Sequence, residues 1–117
     1  MTEPTRIFHN PRCSKSRQTL ELLMDRGIEP EIIRYLETPP TEQELTDIVS
    51  ALGLEPRDLM RTKEKEYKEL GLDSPDLSRN QLIAAMAANP KLIERPIVLA
   101  NGKAAVGRPP ENVLSIL

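Results

Sequence analysis

Apolar residues recur along this chain in two different periods, and the switches between them mark its elements. Residues 5–8 (Thr-Arg-Ile-Phe) have strand character that stops at His9-Asn10-Pro11, because proline cannot donate to a ladder. Over 14–26 the apolar residues Leu20, Leu23 and Met24 stand at i, i+3 and i+4, which predicts an amphipathic helix stopped by Gly27. Ile32 and Ile33 within 31–34 predict a second strand, and a helix between two strands makes a right-handed crossover with parallel strands. Thr41 and Glu44 have the spacing at which hydroxyl and carboxylate cap backbone donors reciprocally, ahead of the stripe Leu45, Ile48, Val49 and Leu52, with Gly53 as the stop. Residues 56–70 predict one or two short, charged helical turns closed by Gly71, and Ser78 with Gln81 offers a further cap before Leu82, Ile83 and Met86. The strongest local signal is Ile97-Val98-Leu99-Ala100, then Asn101-Gly102, then 103–106, since Asn-Gly accepts the positive φ angles of a two-residue hairpin turn. A closing helix over 110–117 has Pro110 in its first turn.

The resulting order is βαβ, a helical insertion, a β-hairpin and a last helix. This is an α/β chain with a mixed four-stranded sheet in thioredoxin-like order. No repeat, low-complexity stretch or linker divides it, so the expectation is one domain over 1–117.

Composition removes several classes of function. With 117 residues, 38% hydrophobic and 29% charged, the chain can bury a modest core without disulfides or a structural metal, and no apolar run approaches the ~20 residues that span a bilayer. The start Met-Thr-Glu-Pro-Thr-Arg lacks the basic and then apolar order of a secretion signal, which points to the reducing cytoplasm. A net charge of −2 from mixed signs gives no electrostatic case for nucleic acid, and two Tyr, one Phe and no Trp make no base-stacking platform. The eleven prolines fall mostly at element boundaries, among them Pro11, Pro39, Pro40, Pro56, Pro90, Pro96, Pro109 and Pro110, and read as punctuation.

Chemistry concentrates at Cys13. The thiolate is the nucleophilic form of cysteine, and the unpaired N–H groups and dipole at a helix start stabilise it. Arg12, Lys15 and Arg17 add positive charge, and His9 stands four residues upstream, near enough to bias the thiol if the loop folds back. A buried, inert cysteine is the competing explanation, but Pro-Arg-Cys-Ser-Lys-Ser-Arg is too polar for a packed interior. One Cys and one His cannot supply a zinc site, so no metal and no bound cofactor are expected. Cys13 and Ser16 reproduce the Cys-x-x-Cys spacing with a hydroxyl in second place. A hydroxyl cannot resolve a sulfur adduct, so the second thiol must come from outside, as glutathione followed by glutaredoxin or a similar carrier. The Cys-x5-Arg phosphate loop is excluded, because Thr19 stands where its arginine belongs.

Three arginines are candidates for holding an oxyanion: Arg61 in Leu-Met-Arg-Thr, Arg95 in Glu-Arg-Pro-Ile and Arg108 in Gly-Arg-Pro-Pro. A guanidinium is always charged, and its planar fork spans two oxygens of one tetrahedral anion. Arg95 and Arg108 bracket the hairpin, whose start lies beside the nucleophile in a thioredoxin-like fold. Arg61 has no such internal argument.

At these residues, and over essentially the whole chain, the sequence resembles the glutaredoxin-coupled arsenate reductases. His9-Asn10-Pro11-x-Cys13, Tyr35-Leu36-Glu37-Thr38-Pro39-Pro40, Glu69-Leu70-Gly71-Leu72, Glu94-Arg95-Pro96-Ile97-Val98 and Gly107-Arg108-Pro109 carry the resemblance in order and spacing. It implies that Cys13 attacks arsenate, that Arg61, Arg95 and Arg108 hold the oxyanion, and that glutathione and glutaredoxin reduce the adduct to release arsenite. It also implies that His9 and Ser16 modulate the thiol, and that Pro96 is cis and faces Cys13. The run Arg12-Cys13-Ser14-Lys15-Ser16-Arg17 is more like a chromosomal side branch of that family, where a different oxidised substrate is an alternative to arsenate. The fold also resembles the Spx-type regulators that bind RNA polymerase, the second alternative.

Overall fold

The computed structural model describes Pro4–Leu117; residues 1–3, which begin the segment read above for a secretion signal, lie outside the described residues. The chain divides into two compact units, one ending at Thr38 and resuming over Arg95–Leu117, the other spanning Pro39–Glu94.

The first unit holds the sheet: β1 (Arg6–Phe8), β2 (Glu31–Ile33), β3 (Ile97–Ala100) and β4 (Lys103–Val106), in the order β2-β1-β3-β4. β1 runs parallel to β2, as the intervening helix α1 (Ser14–Asp25) requires, and antiparallel to β3. Ile7 sits between Ile32 on one side and Val98 on the other. Its complete burial, with Leu23, Val98, Ala100, Val113 and Ile116, makes the core of this unit. Asn101 and Gly102 turn the β3–β4 hairpin with φ of 54° and 75°, as the Asn-Gly signal predicts. The closing segment is helical from Pro110, but as a 3₁₀ helix over Pro110–Ile116; Pro110, Val113 and Ile116 are buried at a three-residue spacing that this helix type puts on one face.

α1 departs from the face its apolar residues suggest. Met24 is 57% exposed, and the buried positions are Ser16, Thr19 and Leu23. The helix therefore buries a polar first half, where both hydroxyls find hydrogen-bond partners, and an apolar second half against the core.

The second unit is helical: α2 (Glu42–Leu52), α3 (Lys65–Glu69), α4 (Arg79–Ala88) and 3₁₀ turns at Pro56–Leu59 and Pro90–Leu92. Both predicted capping boxes form, Thr41 with Glu44 and Ser78 with Gln81, each cap contributing about 1 kcal/mol. α2 packs on α4, burying Leu45, Ile48 and Val49 from one helix and Leu82, Ile83 and Met86 from the other. Arg57 ties this unit together by donating to the Tyr67 hydroxyl and to the carbonyls of Leu72 and Ser74.

Candidate active site

The helix start is built from the loop that proline forces on the chain after β1. Asn10 Oδ1 accepts from the Arg12 N–H at 3.0 Å, an Asx turn, and the Asn10 carbonyl accepts from the Cys13 N–H at 3.0 Å. These bonds set Cys13 at the N-cap of α1, with extended backbone (φ −95°, ψ 123°), its carbonyl already accepting from the Arg17 N–H. The Cys13 side chain makes no cap hydrogen bond of its own in the neutral form, so the first N–H groups of α1 remain for the sulfur as it ionises.

Several forces act on that thiol. Its burial favours the neutral form, while the Ser16 N–H, the hydrogen bond and charge of the Arg95 guanidinium, and the Lys15 N–H favour the thiolate. The second group prevails, and the thiol is more acidic than an ordinary cysteine. The cation responsible is Arg95 rather than the neighbours in sequence. Arg17 turns its guanidinium to the Pro11 carbonyl at 2.9 Å, and Arg12 is exposed.

Arg108 completes the surroundings of the sulfur. Its Nε donates to the Arg95 carbonyl at 2.8 Å, which holds the guanidinium while Nη2 lies 3.6 Å from Cys13 Sγ. The two arginines flanking the hairpin thus meet at one atom, as their places around β3 and β4 predict. The Arg95–Pro96 bond is cis, as expected, and so is Arg108–Pro109.

His9 and Ser16 form a buried pair beneath the loop. His9 Nδ1 lies 2.7 Å from Ser16 Oγ, which also accepts from the Asn10 N–H at 3.0 Å. Burial, then the charges of Arg34 and Arg17, depress the imidazole pKa, so the ring is neutral at pH 7 and its Nδ1 can accept the Ser16 hydroxyl proton. His9 therefore reaches the thiol through Ser16, whose N–H faces the sulfur, and not as a nearby cation.

A stability prediction follows from the sign of that shift. The unfolded chain binds a proton at the ordinary histidine pKa of about 6.5, whereas folded His9 resists it, so stability should fall as pH drops below that value. His9 is the chain's one histidine, and His9→Gln should flatten that part of a pH series of denaturant midpoints. A wild-type slope unchanged by the substitution would assign the effect elsewhere.

The chain as a whole has relatives among known proteins. The family model described as "ArsC family" matches residues 8–116. The chain belongs to the ArsC family. An arsenate reductase of Neisseria meningitidis serogroup B is 59% identical, over 96% of this chain and 97% of that one. The "Uncharacterized protein YfgD" of Escherichia coli (strain K12) is 58% identical over 100% and 99%. The solved structure of an arsenate reductase from Vibrio cholerae superposes with a TM-score of 0.96 at 56% identity, covering 100% of both chains. The thioredoxin-like fold expected from the element order is thus that of the ArsC family.

Of the predicted residues of this ArsC family chain, Cys13, His9, Ser16, Arg95 and Arg108 lie in the first unit and are linked by the contacts above. Arg61 lies in the second unit, where Nε pairs with Glu64 at 3.2 Å and Nη1 with Glu94 at 3.1 Å. Asn10 and Arg34 were not singled out from the sequence, yet one shapes the loop and the other adds its charge to the burial that lowers the His9 pKa. For Asn10 the signal was present in the turn-forming Asn-Pro pair; for Arg34, exposed just past the end of β2, there was none.

Proposed function

We propose that this chain reduces arsenate to arsenite. The observation that carries the reading is the meeting of Arg95 and Arg108 at the sulfur of a cysteine that a helix start acidifies. The thiolate forms a sulfur–arsenic(V) bond and an arsenate hydroxyl, protonated from solvent, leaves as water, while the guanidinium forks hold the remaining oxygens. Arsenic(V) to arsenic(III) takes two electrons, the oxidation of two thiols to one disulfide. Cys13 is the chain's only cysteine, so the second thiol is external; we assign it to glutathione, with glutaredoxin taking up the mixed disulfide. No bound cofactor or metal is needed, and a reducing compartment, the cytoplasm, is.

Arg61, which pairs with Glu64 and Glu94 within its own unit, is the third arginine that the family resemblance implies for the oxyanion. A purely regulatory surface has no use for two guanidinium groups on one sulfur, which favours the enzyme over the regulator. The test is arsenite release from arsenate with glutathione and glutaredoxin, each then omitted. We expect turnover that requires glutathione and that glutaredoxin accelerates. Failure to release arsenite under any of these conditions would leave the thiol reductase with another oxidised substrate.

A further inference from the structure

Gly107 stands immediately before Arg108 and is buried, and its backbone lies outside the left-handed region, so conformation does not call for glycine there. Space does. A Cβ at this position would lie 2.5 Å from Thr19 Oγ1, 3.1 Å from Thr19 Cγ2 and 2.8 Å from Pro96 Cγ. Distances under 3 Å cannot be kept, and the neighbours are poor at yielding. Thr19 is fully buried and its hydroxyl is committed to the Lys15 carbonyl at 2.8 Å, on the turn of α1 that carries the N–H groups facing the sulfur. Pro96 is a ring, and its carbonyl accepts from the Gly107 N–H at 2.9 Å.

We propose that Gly107 and Thr19 act as a positioning pair, the bare glycine backbone seated on the threonine side chain setting how far the Arg95–Arg108 pair stands from Cys13. The chain of contacts is continuous. Thr19 is fixed to α1, Gly107 rests on Thr19, Arg108 follows Gly107, and Arg108 joins the Arg95 carbonyl and reaches the sulfur. A displacement of 0.5–1 Å at Gly107, roughly what an alanine methyl demands of a close-packed contact, is comparable to the tolerance of a preorganised site. Neither residue touches the reacting atoms. Their effect passes through the arginines.

The proposal rests on the reading of Cys13 with its arginines as the reacting site, and its test is therefore made independent of arsenate. Iodoacetamide alkylation of Cys13 is followed against pH in wild type, Gly107→Ala, Thr19→Ala and the double variant. Gly107→Ala overfills the seam and should slow alkylation near pH 6 by about tenfold as the thiolate fraction falls. Thr19→Ala empties the seam and lets the loop slacken, giving a smaller loss of roughly twofold to threefold in the same assay. In the double variant the alanine methyl occupies room that Thr19 gave up, and the alkylation profile should return toward wild type. Where arsenate is turned over, its KM should rise and recover in the same order, with kcat less affected. A merely structural seam would change the midpoint of thermal unfolding without this rescue of thiol reactivity. If Gly107→Ala does not fold, Thr19→Ala and the double variant decide. Single variants that fold and keep the wild-type alkylation profile would overturn the proposal, as would a folded double variant in which the thiol is less reactive than in Thr19→Ala. Failure of arsenate reduction with the alkylation pattern intact would count against the substrate only.

Discussion

Cys13→Ser should give a folded protein with no arsenate turnover above the uncatalysed background. A serine hydroxyl is close to the thiol in size and remains protonated at neutral pH, so the N-cap of α1 is kept while the nucleophile and the electrons of one thiol are both lost. Serine is also a better N-cap than cysteine, since its oxygen accepts the first N–H groups of the helix readily. Arsenite release measures the loss, and thermal unfolding shows whether the fold survives. The same variant isolates a pH effect. In the wild type the folded thiol ionises at lower pH than the unfolded one, so through the interval below about 8.5 the unfolded state holds the extra proton. Stability contributed by Cys13 should therefore grow as pH rises through that interval and disappear as pH falls below the folded value. Cys13→Ser should lack this component. A serine variant that still released arsenite would remove Cys13 from the reaction.

Much of this architecture was legible because its signals are local. Asn101-Gly102 states its own turn, and Thr41 with Glu44 and Ser78 with Gln81 state their own helix starts, each through groups within four residues of one another. The two arginines at the sulfur were legible at one remove, since a hairpin with known strand ends brings its flanks together at the same end of a sheet. What the sequence did not disclose depends on contacts between distant segments. Met24 belongs to an apolar stripe by spacing, but α1 turns Ser16 and Thr19 inward because the loop after β1 and the residue before Arg108 offer them partners. The same is true of the charge at Cys13. Arg12, Lys15 and Arg17 are near in sequence, whereas Arg95 is 82 positions away and is the cation that acts on the sulfur (95 − 13).

The sequence places His9 within reach of the thiol but does not say by what physical route it acts. A cation four residues from the thiol would lower its pKa by direct charge. The structure buries the ring, sets it beside Arg34 and Arg17, and leaves it neutral. Its remaining route is mechanical: Nδ1 and the Asn10 N–H fix the Ser16 hydroxyl, and Ser16 fixes the first turn of α1 whose N–H groups face the sulfur.

The arginine pair is the second large effect. Arg95→Lys or Arg108→Lys keeps a positive charge but replaces a planar fork by a point charge on a flexible stem, so oxyanion binding should weaken by roughly 1.5–3 kcal/mol for a charge-assisted contact. That is roughly ten- to a hundredfold in affinity, well within reach of arsenate competition measured by calorimetry or by protection of Cys13 from alkylation. The two substitutions differ in one respect. Arg95 both donates to the sulfur and lends it charge, so its loss should also make the thiol less acidic, whereas Arg108, anchored on the Arg95 carbonyl with its Nη2 at 3.6 Å from the sulfur, should act more on the anion. Arg95→Ala with Arg108→Ala removes both forks and the charge that would stabilise oxygen in the transition state, so kcat and kcat/KM should fall together. Because both guanidinium groups converge on the Cys13 sulfur, the double loss should differ from the sum of the single ones. Normal arsenate reduction by the double variant would leave the fold and the acidic cysteine in place but take the oxyanion out of this pocket, and with it the case for arsenate over other oxidised substrates.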